Sequence, residues 1–79
     1  MGSRAFIDYV LPHLVDHPDD VEITESEGDN DHVVYEISVH PEDMGKVIGK
    51  RGRIIRSLRT LTRAASQGED RPASVEVVD

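Results

Sequence analysis

Val47-Ile48-Gly49-Lys50-Arg51-Gly52-Arg53-Ile54-Ile55 is the stretch on which the fold turns. Two glycines bracket two basic residues, and apolar residues stand on both sides. The spacing predicts a helix that ends at Gly49 and a second that begins just after Gly52. Gly49 suits a left-handed helix end. Gly52, lacking a side chain, lets another backbone come close. The start of the second helix presents free N–H groups and the positive end of its dipole, which together make an anion site. Lys50 and Arg51 add charge at the loop tip. Ile48 and Ile55 flank the loop and are placed to wall an apolar groove, so a phosphate backbone can rest on the loop while bases enter the groove.

Upstream, Pro41-Glu42-Asp43 opens the first of these helices, with proline at the first helical position and two acids at the positive end. The helix downstream of the loop runs from about Arg53 to Ser66 on its periodicity. Ile54, Leu58, Leu61 and Ala65 form its expected core stripe; Arg56, Arg59 and Arg63 form a separate one. Further upstream, His32 to Val39 alternates as a strand, with Val33, Tyr35, Ile37 and Val39 on one face. Val21 to Thr24 is a shorter strand, joined to it as a hairpin through the polar turn Ser26 to Asp31. Arg4 to Asp16 carries Phe6, Val10 and Leu14, with Ile7, Leu11 and Val15 beside them, at helical spacing. Pro12 falls inside that helix and predicts a kink. Ala73 to Val78 closes the chain as a strand with Val75 and Val77 on one side.

The order is helix, strand, strand, helix, helix, strand. A strand that returns through helices is parallel to its neighbour by a right-handed crossover, so the three-stranded sheet is mixed. All three helices are expected on one face, giving an open two-layer α+β sandwich. With 79 residues the chain is read as a single domain, residues 1–79. Its N-terminal helix and strand occupy 4–25, and its core 32–78. Phe6, Tyr9 and Tyr35 are the only aromatics, so the core is built from Val, Ile, Leu and Ala.

The net charge of −7 runs against a polyanion partner, but its distribution does not. Lys46, Lys50, Arg51, Arg53, Arg56, Arg59 and Arg63 are seven of the nine basic residues, and no Asp or Glu falls between Met44 and Arg63. All 16 acidic residues lie elsewhere. A basic patch on an acidic body draws an anion to one face and repels it from the others.

Other chemistries fit poorly. A Walker A loop needs four residues between its glycines and then Lys-Ser or Lys-Thr; Gly45 and Gly49 have three between them, and Lys50 precedes Arg51. No dinucleotide fingerprint is present. Without cysteine there is no disulfide or thiolate metal site, which fits a reducing compartment. His13 and His17 stand four apart, as zinc ligands do, but no third ligand is evident and Pro18 ends the helix, so a solvated or capping role is expected. The acids from Asp16 to Asp31 lack calcium-loop spacing. Ser57, Thr60 and Thr62 lie among Arg and Leu with no base beside them, which argues against an enzyme. No cofactor and no metal are expected. No apolar run is long enough to cross a membrane and no signal peptide is visible, so the reading is cytoplasmic.

The stretch from Val47 to Ile55 resembles the signature of KH domains, V-I-G-x-x-G-x-x-I between two helices. From the N-terminal helix to Leu58-Arg59-Thr60-Leu61, nearly the whole chain is similar to the small bacterial KhpA-type RNA-binding proteins, with the element order of the type II KH arrangement. The resemblance implies binding of about four nucleotides of single-stranded RNA or DNA, the loop clamping the backbone. It implies that Gly49 and Gly52 shape the loop, that Lys50 and Arg51 contact phosphates, and that Ile48 and Ile55 line the base groove. Lys46, Arg53, Arg56 and Arg59 extend the basic surface on charge and periodicity. The resemblance also implies homodimers, or pairing with a second KH protein. An RNA chaperone or regulator of transcripts is the leading reading. A protein-interaction module and a single-stranded DNA binder are the alternatives.

Overall fold

The computed structural model describes residues 2–78; Met1 and Asp79, the ends of the expected domain, lie outside the described residues. Helix α1 spans Ser3–Leu14, strand β1 Glu22–Glu27, strand β2 Val33–Ser38, helix α2 Met44–Ile48, helix α3 Arg53–Ala65 and strand β3 Ala73–Val77. Short 3-10 turns fill Pro18–Asp20, Asp29–Asp31, Pro41–Asp43 and Lys50–Gly52.

The sheet order is β1-β2-β3. β1 pairs antiparallel with β2, from Glu22 opposite Ser38 to Glu27 opposite Val33. β2 pairs parallel with β3, from Val33 opposite Ala73 to Ile37 opposite Val77. The expected mixed sheet and hairpin are therefore both present. In the hairpin turn, Asn30 and Asp31 take positive φ, at 57° and 63°. Tyr35, Ile37, Val39, Ala73 and Val75 are buried and face the helices. The opposite face carries Thr24, Glu36 and Glu76 in one row across the three strands, with Glu36 half-buried and the other two exposed. That face is acidic.

The helices close the core from one side. α1 sends Ile7 and Leu11 inward, α2 Val47, and α3 Ile55 and Leu58. The buried stripe of α1 is Ser3, Ile7 and Leu11, while Phe6, Val10 and Leu14 are half-buried at its flank. The helix continues through Pro12 and stops two residues later, where Val15 is extended. Near a C-terminus proline removes only one donor, so the first three turns are kept. At the other end, Glu69 from the α3–β3 loop accepts the Ser3 N–H at 2.7 Å and the Ser3 hydroxyl at 3.1 Å. A carboxylate there also meets the positive end of the helix dipole.

The expected stripe of α3 needs correction. Its inward residues are Ile55, Leu58 and Thr62. Ile54 and Ala65 are half-buried, and Leu61 is 51% exposed. Choosing Leu61 over Thr62 by hydrophobicity rotates the helix by one residue, about 100°. The Thr62 hydroxyl is buried and has no hydrogen-bond partner among the described residues.

A second polar group is buried with its needs met. Asp43 is fully enclosed. It accepts the backbone N–H groups of Asp16 and His17, at 3.1 and 3.0 Å, and the His17 ring Nδ1–H at 3.1 Å. Burial pushes this carboxyl up, but the two amides and the ring outweigh it and hold it below the usual carboxylate range. Asp43 thereby ties the chain leaving α1 to the turn that starts α2.

Thr62→Val removes an unpaired hydroxyl while keeping the side-chain volume. It is expected to stabilise the chain by about 1 kcal/mol in urea unfolding; a loss of stability would reveal a partner for the hydroxyl.

Candidate functional site

α2 is five residues long and ends where Gly49 takes φ 77° and ψ 175°. That combination is essentially restricted to glycine. It lies outside the left-handed helical region expected of a helix-ending glycine. The Gly49 N–H still donates back to the Gly45 carbonyl at 2.8 Å. A Cβ on Gly49 would stand 2.7 Å from Ile54 Cγ1 and 2.9 Å from the Ile54 nitrogen. The close approach expected at Gly52 thus occurs at Gly49. Gly52 is needed for its angle alone: φ is 73°, and a Cβ there would find ordinary contact at 3.8 Å.

Between the glycines, Arg51 occupies the left-handed region with φ 56° and ψ 25°. A non-glycine residue is uncommon there. The turn is closed by the Gly52 N–H on the Gly49 carbonyl at 3.2 Å and by the Arg53 N–H on the Lys50 carbonyl. The loop is therefore a tight turn with two exposed cationic side chains at its tip. It leads directly into α3, a helix with no acidic residue in its first turn to offset its dipole.

Lys50, Arg51, Arg53 and Arg56 are exposed. Among the described residues, none of them has a carboxylate within salt-bridge distance. Arg53 and Arg56 line an open groove on the outward side of α3 with Ser57, Thr60 and Leu61. The structure thus brings together four of the nominated cations.

Two others are engaged elsewhere. The Lys46 ammonium bonds the Asp16 carboxylate and stands 3.8 Å from Asp43. Its hydrogen bond to Asp16 raises its pKa, so it is held as a cation facing α1. Arg59 donates Nε–H to the Val75 carbonyl at 3.2 Å. The Val33 N–H bonds the Pro72 carbonyl and the Val78 N–H bonds the Ile37 carbonyl, so even-numbered residues of this segment bond toward β2. The Val75 carbonyl therefore points out from the free edge of the sheet, and Arg59 covers it.

The apolar residues beside the loop also differ from expectation. Ile48 is half-buried, as a groove wall requires. Ile55 is 7% exposed and belongs to the core. Ile54, beneath Gly49, is the half-exposed residue on that side. Sequence spacing placed Ile55 rather than Ile54 at the surface, because adjacent isoleucines leave the rotation of the helix open.

Comparison with known proteins now fixes the family. Residues 4–77 match the family model described as KhpA/KhpB, KH domain. The chain belongs to the KhpA/KhpB family of KH domains. RNA-binding protein KhpA of Halalkalibacterium halodurans is 43% identical over 77 residues, covering 96% of this chain and 99% of its own. Its namesake in Listeria monocytogenes is 44% identical over 70 residues, covering 89% and 91%. That of Caldanaerobacter subterraneus is 49% identical over 65 residues, covering 82% and 85%. KH domains are binding modules, not enzymes. No helix of the described residues is long and apolar enough to cross a membrane.

The glycines of this KH loop differ in what they do, and substitution separates them. Gly52→Ala is expected to lose about 1 kcal/mol from its positive φ. Gly49→Ala, with both the angle and the Ile54 clash, is expected to lose more than about 2 kcal/mol. Urea unfolding of both variants checks the order.

Proposed function

We propose that this KH domain binds single-stranded RNA, seating the phosphate backbone on Gly49-Lys50-Arg51-Gly52 and admitting bases beside Ile48 and Ile54. The observation that carries this reading is the tight, glycine-bounded turn that leads directly into α3, with exposed cations that have no acidic partners among the described residues. Backbone N–H groups and a helix N-terminus engage phosphate oxygens, and Lys or Arg adds the long-range attraction. The relatives' name, RNA-binding protein KhpA, supports RNA as the polymer. Arg53 and Arg56 extend the seat along α3; Lys46 and Arg59 serve the fold. The domain acts in the cytoplasm as an RNA chaperone or a regulator of transcripts.

Replacing Lys50 and Arg51 together by Asp is expected to abolish binding to a short single-stranded RNA while the circular dichroism spectrum and unfolding midpoint stay unchanged. For the parent chain, the log of affinity against the log of salt should fall with a slope of about −0.7 per phosphate engaged. Unaltered affinity in the double variant would remove the loop from binding. Competition with DNA of the same sequence decides between the two polymers.

A second reading rests on a separate observation. Leu61 and Tyr9 are large apolar side chains that are 51% and 62% exposed. Of the two, Leu61 lies in the open groove on the outward side of α3, where a partner can cover its apolar surface. We infer that the outer side of α3 around Leu61 pairs with a second copy or a second KH protein. Sedimentation velocity of the purified chain is expected to show a dimer that Leu61→Glu converts to monomer; a parent chain that sediments as a monomer would leave only the heterologous pairing.

A further inference from the structure

Away from the loop, three side chains from two separate segments of the chain meet on the surface. His17 follows α1, His40 follows β2, and Glu42 lies in the turn entering α2. The two imidazoles stack with centroids 4.0 Å apart and planes 14° from parallel. Glu42 Oε1 stands 3.7 Å from His17 Nε2 and 3.7 Å from His40 Nδ1. Ligand atoms from all three lie within 4.8 Å of one another.

The hydrogen bonds of each ring leave one nitrogen toward Glu42. His17 Nδ1 is held by the Asp43 carboxylate at 3.1 Å, which leaves Nε2 on the side of Glu42. His40 Nδ1 accepts the Glu42 N–H at 3.0 Å and stands beside the Glu42 carboxylate. From these contacts we propose that His17 Nε2, His40 Nδ1 and Glu42 Oε1 bind one zinc ion.

Three arguments support the assignment. The donor set, two imidazoles and a carboxylate, is one that zinc takes with a fourth position left to water. The spacing is close on the two sides that meet Glu42: metal bonds of about 2.1 Å at tetrahedral angles set donors about 3.4 Å apart, a few tenths of an ångström inside the observed 3.7 Å, while the two ring nitrogens lie within 4.8 Å of each other. The second layer is already built, since a buried carboxylate on the far nitrogen of a histidine fixes its tautomer and raises its basicity toward a metal. To bind, the rings tilt out of the stack and His40 exchanges the Glu42 N–H for the ion. The His17 and His40 side chains are 40% and 30% exposed, which leaves room for that rotation. His13 belongs to a different environment: its Nδ1 lies 2.8 Å from the Tyr9 carbonyl and its ring packs on Tyr9. The pairing of His13 with His17 suggested by their spacing is therefore replaced by His17 with His40. The ion would join the end of α1 to the start of α2, the same two segments that Asp43 holds.

Titrating the purified chain with zinc chloride, followed by long-range nitrogen–proton NMR of the imidazoles, tests the proposal. The expected result is a single site that moves the Nε2 signal of His17 and the Nδ1 signal of His40 while His13 and His32 stay in place. Magnesium should move none of them, because it prefers oxygen ligands. Glu42→Gln, at an exposed carboxylate, should weaken zinc at least about tenfold, the loss that even outer partners of a metal site carry. His40→Phe keeps an aromatic ring for the stack and should abolish binding. Unmoved His17 and His40 signals, equal shifts at all four histidines, or unchanged affinity in both variants would each overturn the site.

Discussion

The contact between Gly49 and Ile54 sets the angle at which α2 hands over to α3. With a Cβ at position 49 only 2.7 to 3.0 Å from three Ile54 atoms, the turn could not close as it does. Its closure brings the N-terminus of α3 directly after the loop. The shape of the turn is thus set by backbone geometry first and side-chain charge second. Lys50 and Arg51 place exposed cations on a turn that the main chain has already shaped.

The turn is held in place by interactions that use polar groups to fix position. Asp43 joins the segment after α1 to the start of α2, and Lys46 closes on Asp16 across the same junction. A buried carboxylate with three donors is a satisfied polar group, and its removal would leave two amides without partners. Arg59 performs a comparable task at the other border of the sheet, where an uncovered carbonyl would invite another strand. Two of the seven clustered cations are thereby committed to architecture, so the electrostatic face of the domain is narrower than its composition suggests.

The element order, the hairpin, the mixed sheet and the loop were legible from sequence because each has a local signature. Alternation in His32 to Val39 gives a strand, and the paired glycines give a turn. Rotation of α3 was not legible. Choosing between Leu61 and Thr62, or Ile54 and Ile55, depends on what the sheet presents opposite them, and a threonine with no hydrogen-bond partner in the core defies a hydrophobicity rule. Roles of single cations were equally hidden, since Lys46 and Arg56 look alike until Asp16 and Asp43 are placed in space. The meeting of His17 with His40 and Glu42 is a tertiary fact, made across the 22 intervening residues that contain the whole hairpin.

The row of Thr24, Glu36 and Glu76 on the open side of the sheet gives the molecule a front and a back. Side by side, Glu36 and Glu76 repel one another and lose some sheet stability for it. They also give that side a negative field, so a polyanion approaching the domain is turned away from the open side of the sheet and toward the helices.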